Sequence, residues 1–327
     1  MARGEPILIL SVDGGGARGV LPVNILYRLQ THSDIAVRES FDFFAGVSTG
    51  ALVAAYCAAG AGPLELLVRQ SYSSQNMSEI FDKSLWDRVF GRVQHVPKYD
   101  GRNKRAYLSA IFDGACINDI RDKHLLVLAY DFINRELIVY KNRRGHDARH
   151  NPPLEEVCDA ATAAPTLYPA VPTSEPDRRW LVDGALATND PSLCAITESL
   201  SMGYAIDEIH MLSIGTGRPA HDLSQRQRAR IGEASREWGL YGWVRNGLLE
   251  HMLSASSTVS AHQCRQLLGE RYLRVDGTLP RALMRLDETS PEYVRNLEAY
   301  AQRWYEEYRA PIIDLVARVQ ALRPAVA

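Results

Sequence analysis

The sequence is poor in everything that would mark a disulfide scaffold, a metal centre or a charged binding surface. Its 327 residues include five cysteines, Cys57, Cys116, Cys158, Cys194 and Cys264. Their number is odd, their intervals are long and no CxxC pair occurs, which argues against a disulfide framework and a zinc site and fits a reducing compartment. The formal charge of −2 leaves no global basic field, so a nucleic-acid polymer has nothing to steer it from a distance. No repeat of fixed period and no low-complexity tract appears, which sets aside solenoids and linker-built chains. The first apolar run, ILILSV at 7–12, is too short for a secretory core and lacks a cleavage site, so it reads as a strand of a cytoplasmic protein.

What is present is an ordinary soluble composition, with 46% hydrophobic and 23% charged residues, enough for one folded domain over residues 1–327 with a large core. One stretch, 43–64, carries no charge and is long enough to span a bilayer on length alone. Its residues Gly46, Ser48, Thr49, Gly50, Gly60 and Gly62 suit a strand, a tight turn and a buried helix better. The first half of the chain alternates short apolar runs with helical spacing, the pattern of an α/β fold with a mostly parallel central sheet. Further strands are expected at 125–130, 136–140, 180–184 and 209–215, with a hairpin turn at Asp131–Arg135 and a helix opening at Pro191. From about residue 224 the pattern turns helical and Arg-rich. Two amphipathic helices, 293–308 and 310–322, are expected to form an outer layer.

Three motifs carry chemistry. Gly46-Val47-Ser48-Thr49-Gly50 stands where an apolar strand meets an Ala-rich helix, and a serine on such a turn presents its hydroxyl as a nucleophile. Asp13-Gly14-Gly15-Gly16-Ala17-Arg18-Gly19 follows the first strand and opens the first helix, where backbone N–H groups can receive a developing oxyanion. The same glycines fit GxGxxG, but the expected acidic second strand of a dinucleotide fold is missing near 31–40. Asp183-Gly184-Ala185 ends a strand, and a carboxylate at the C-terminal edge of a parallel sheet is placed to act as a general base.

In this order and spacing, the DGGGxRG loop, the GxSxG elbow and the DGA motif resemble the patatin-like phospholipase family, as do ATAAPTLYPAV at 161–171 and LSIGTG at 212–217. The resemblance runs from about residue 6 to beyond 290. It implies a three-layer α/β/α fold that hydrolyses lipid acyl esters without metal or cofactor. Ser48 then matches the nucleophile, Asp183 the dyad base, and Gly14, Gly15, Gly16 and Arg18 the oxyanion region. Ala185 and Thr188 depart from the glycine and asparagine common there. The substrate implied is a phospholipid met peripherally on the inner membrane surface. Some bacterial members are switched on by cyclic nucleotides in anti-phage signalling, so a cyclic nucleotide is a candidate activator.

Two other readings stay open on the residues alone. A Ser-His-Asp triad would need one of His210, His221, His251 or His262 beside Ser48, and a binding or storage protein could keep the fold without turnover. Of two further segments, 238–244, with Trp238, Tyr241 and Trp243, suits either core or a membrane interface. The basic stretch 83–105, with Lys83, Arg88, Arg92, Lys98, Arg102, Lys104 and Arg105, reads as a solvated surface.

Overall fold

The computed structural model describes residues 4–81, 96–142, 151–174, 178–220 and 223–323. Its strands are β1 (Ile7–Val12), β2 (Phe43–Val47), β3 (His124–Asp131), β4 (Glu136–Lys141), β5 (Val171–Pro172), β6 (Trp180–Asp183), β7 (Ile209–Ile214), β8 (Arg218–Pro219), β9 (Tyr272–Val275) and β10 (Thr278–Leu279). The main sheet runs β5-β6-β3-β2-β1-β7-β9, with β4 paired to β3, while β8 and β10 form a separate pair. The longer helices are α1 (Val20–His32), α2 (Thr49–Ala59), α3 (Arg102–Phe112), α4 (Leu154–Ala161), α5 (Ser192–Ser201), α6 (Gln225–Ser235), α7 (Leu240–Arg245), α8 (Leu248–Leu268) and α9 (Pro291–Leu322).

The sheet is covered on both faces, which is why β1, β2 and β7 are buried at every position and largely apolar. Alternation along β1 sends Leu8, Leu10 and Val12 into one core with α1, α2 and α9. Ile7 and Ile9 face the other way, into a second core closed by Ala195 and Ile196 of α5 and by Cys264 and Leu268 of α8. The result is the expected three-layer α/β/α fold. The uncharged 43–64 stretch is β2, a turn and buried α2, and among the described residues no helix is long and apolar enough to cross a membrane. The hairpin turn at Asp131 also forms, with Asp131 Oδ1 accepting from the Ile133 and Asn134 amides.

Three features differ from the sequence reading. First, β6 is antiparallel to β3, so Asp183 does not end a parallel strand; the three apolar residues Trp180, Leu181 and Val182 say that a strand exists and nothing about its direction. Second, residues 291–322 form one helix that continues through Pro311. An interior proline costs roughly 3 kcal/mol, and burial of Trp304, Tyr305, Ile312, Leu315 and Val316 against the core exceeds that. Third, the C-terminal layer is not wholly helical, because β9 completes the edge of the sheet beside β7.

Candidate active site

Ser48 occupies the single residue between β2 and α2, at φ 53° and ψ −129°. Positive φ is uncommon for a residue with a Cβ, and a held turn of this kind exposes the side chain at the end of the sheet. Glycine is required on either side by close approach. A side chain on Gly46 would strike the Gly50 carbonyl, and one on Gly50 the Val12 carbonyl.

Asp183 reaches the same point from the opposite direction. In the ladder, Val47, the last residue of β2, pairs with Leu128, and Asp183, the last residue of β6, pairs with Ala129. β2 and β6 flank β3 on opposite sides and run in opposite directions, so their ends lie level with neighbouring residues of β3, and Ser48, just past β2, comes within hydrogen-bonding reach of Asp183. Ser48 is 8% and Asp183 3% exposed. Burial pushes the Asp183 carboxyl up to about 6, against hydrogen bonding from Ser48 and the Ala185 amide and the positive charge of Lys104, which pull it down. The Ala185 N–H donates to Asp183 Oδ1 at 2.9 Å.

The glycine loop divides its backbone groups. Gly14 N–H donates to the Asn189 carbonyl at 3.1 Å, Ala17 N–H to the Leu286 carbonyl at 2.7 Å and Arg18 N–H to the Gly15 carbonyl at 3.1 Å. The Gly14 carbonyl accepts from Thr216 Oγ1 at 2.6 Å. Gly15 and Gly16 N–H have no acceptor among the described residues. The Arg18 guanidinium turns to the Thr216 and Gly217 carbonyls, at 3.0 and 2.9 Å. Beneath the loop, Asp13 is held by Arg274 of β9 at 2.8 Å, and the same guanidinium reaches Ser213 at 2.7 Å and Asp190 at 3.5 Å.

Ser48, Asp183, Gly15 and Gly16 open on one cavity of about 520 Å³, walled by apolar side chains that include Leu52, Met77, Phe81, Leu108, Leu253 and Met284. An apolar cleft with a few convergent polar groups at one end suits a ligand with a long hydrocarbon chain. The patatin-like phospholipase family profile matches residues 10–196, more than half of the chain and all three motifs. The chain belongs to the patatin-like phospholipases. It is a lipid acyl hydrolase. Patatin-like protein 2 of Oryza sativa subsp. indica is 26% identical, with 89% of this chain and 82% of the relative covered. The same identity links it to a cGAMP-activated phospholipase of Pseudomonas aeruginosa, over 89% of this chain and 81% of that one. Among solved structures, human GIVD cytosolic phospholipase A2 aligns with TM-score 0.48 and 12% identity, and 98% of this chain covers 61% of it.

Two residues of this patatin-like phospholipase escaped the sequence reading. Lys104, expected on a solvated surface, is buried in the cavity wall. Its Nζ lies 2.9 Å from Asp159 Oδ1 and 4.3 Å from the centre of the Tyr168 ring. Lys98 is also paired, with Asp287, while Lys83, Arg88 and Arg92 lie outside the described residues. Arg274 was hidden because YLRV did not stand out as a strand. A basic residue in a helix pattern next to acidic neighbours was the one signal for Lys104, and it is indistinguishable from a surface helix. Among the candidate histidines, His210 is buried on β7 and pushed down to about 4, first by burial and then by Arg271 and Arg318. His251 and His262 are on α8, and His221 lies outside the described residues. No described histidine lines the cavity.

Proposed function

We propose that Ser48 and Asp183 act as a catalytic dyad that cleaves acyl esters of membrane phospholipids. The observation that carries this reading is that β2 and β6, on either side of β3, end at neighbouring positions of it, so that the Ser48 hydroxyl and Asp183 carboxylate hydrogen-bond in one apolar cavity beside the Gly15 and Gly16 amides. Asp183 takes the proton of Ser48 Oγ as the oxygen attacks the ester carbonyl carbon. The developing oxyanion is received by Gly15 and Gly16 N–H, with Gly14 and Arg18 positioning the loop through their own carbonyl contacts. When the tetrahedral intermediate collapses, the lysophospholipid alkoxide leaves with the proton from Asp183. Water, deprotonated by the same carboxylate, then releases the fatty acid from Ser48. No step uses a cofactor.

The substrate is met peripherally at the inner membrane surface. The cGAMP-activated phospholipase of Pseudomonas aeruginosa among the relatives supports a second layer, activation by a cyclic dinucleotide that binds the active state more tightly than the resting one; the proposal extends this to an anti-phage role. Mass spectrometry of phospholipid vesicles incubated with wild type and Ser48→Ala, with and without a panel of cyclic dinucleotides, tests both. Ser48-dependent release of fatty acid and lysophospholipid is expected, rising with one ligand. Equal products from Ser48→Ala would end the dyad reading, and full activity without any ligand would end the activation.

A further inference from the structure

Helices α6 and α7 contain no buried residue. Helices of 11 and 6 residues are marginal in water without a packed face, so within this chain little holds the pair in place. The shorter one is apolar at its tip, where Leu240 is 78%, Tyr241 77% and Val244 60% exposed. Spacing along α7 puts Leu240, Trp243 and Val244 on one side. Trp243 packs edge-on against Trp238, ring centres 5.4 Å apart, which holds two indoles at the same exposed corner. On the following α8, Met252 and Val259, two turns apart, are also exposed. A soluble surface seldom presents so many large apolar side chains together.

We infer that this corner, α7 with its flanks on α6 and α8, is the face by which the protein seats on an anionic phospholipid bilayer. The inference rests on the phospholipase reading above, and three observations choose the occupant. Charge is the first: over residues 225–259 five arginines stand against three glutamates, in a chain whose net charge is −2. Three of the arginines, Arg226, Arg228 and Arg230, lie on α6 just before the apolar tip, the order of a basic amphipathic segment at a headgroup layer. Side-chain type is the second, since exposed Trp and Tyr beside Leu and Val suit the boundary between headgroups and acyl chains. Continuity is the third: Glu250 and Leu253, on the first turns of α8, line the cavity that holds Ser48. A bilayer touching α7 therefore lies next to the cavity mouth, and an acyl chain can pass from it without crossing water.

The test uses the full chain carrying Ser48→Ala, so that binding is read without turnover. Cosedimentation with vesicles of phosphatidylcholine alone and of phosphatidylcholine with equal phosphatidylglycerol is compared for that protein and for one that also carries Leu240→Asp and Val244→Asp. Vesicle binding is expected to fall at least 10-fold in the double variant. Arg226→Gln with Arg230→Gln should weaken binding to the anionic vesicles alone, and 0.5 M salt should do the same. In the active background the aspartate pair should lose turnover on vesicles and keep it on a soluble short-chain ester, which never meets this face. Unchanged vesicle binding in the aspartate variant overturns the inference. So does a dimer in lipid-free solution that the aspartates convert to monomer, since a second copy would then be the occupant. A wild type that binds vesicles through this face but leaves phospholipid intact would sink the chemistry and leave the docking standing.

Discussion

The end of the sheet around Ser48 and the α6–α7 corner are opposites. At the first, every group is fixed several times over. Ser48 is held by a helix, a strand and close-packed glycines, Asp183 by a ladder pair and the Ala185 amide, and the loop by Thr216, Asn189 and Arg274. At the second, no residue is buried. The difference separates two kinds of work. Proton transfer requires groups placed to within a fraction of an ångström, whereas a surface that adapts to a fluid layer needs little more than composition. Variants at the two places should therefore fail in different ways.

The largest effect is expected from Asp183→Asn, which keeps the shape and removes the base: turnover on a soluble ester should fall about 10⁴-fold, while His210→Ala, His251→Ala and His262→Ala retain substantial activity. Any folded histidine variant as inactive as Asp183→Asn would break the dyad. The same carboxyl sets a pH signature. Its folded pKa of about 6 lies above the ordinary carboxylate value of 3.8, so the acid limb of the rate profile should fall near pH 6. For stability the raised value has the opposite sense. Its contribution is fully present below pH 4 and is lost as pH rises through 6, so the ionised carboxylate costs of the order of 2–3 kcal/mol at pH 7. Asp183→Asn should thus unfold at higher denaturant than wild type at pH 7, with the gain shrinking toward pH 4.

Next is Lys104→Met, which leaves buried Asp159 with only the longer Arg105 contact at 3.9 Å. Losing one partner of a buried ion pair costs about 3–5 kcal/mol, measurable by urea denaturation at neutral pH. An unchanged midpoint would show that the pair does not hold the α3–α4 contact. Gly15→Ala comes third. Its new methyl carbon would lie 2.6 Å from Thr216 Cβ, so the loop must shift, and turnover should fall about 10²- to 10³-fold with little change in stability. Normal turnover in a folded Gly15→Ala protein would move the oxyanion donors elsewhere. The smallest effect belongs to the other region, where Leu240→Asp with Val244→Asp should alter the unfolding free energy by no more than about 0.5 kcal/mol. A larger loss would mean that α7 is packed against the body of the protein after all.

The same contrast governs what could be read from the residues. The turn at Ser48 was legible because a strand-to-helix turn of this kind constrains its near neighbours, and Gly46 and Gly50 meet that constraint. Asp183 was legible only in company with the other motifs, and the argument offered for it, a parallel strand edge, was mistaken. Strand direction is decided by the partner strand, which WLVD does not mention. Gly14 to Gly16 read as equivalent donors because their division of labour depends on Asn189, Thr216 and Leu286, all remote in sequence. Residues 293–308 and 310–322 read as two helices rather than one because the burial that carries a single helix through Pro311 is not visible in a sequence. Lys104 and Arg274 were invisible for a related reason: a buried cation and a solvated one have the same letter.

The meeting of β2 and β6 along β3 also sets an order of events. Chains are made from the N-terminus and tend to fold as they emerge. β1, β2 and β3 can pair once residue 131 is available, and the Ser48 turn can take shape then. Asp183 arrives 52 residues later, and the Asp13–Arg274 clasp beneath the glycine loop waits for a strand that begins at Tyr272. On the dyad reading, a growing or truncated chain would thus display the Ser48 turn with no Asp183 beside it and an unbraced loop. On that reading the topology works as a safeguard, since a partly made copy lacks one of the two groups proposed to hydrolyse lipid.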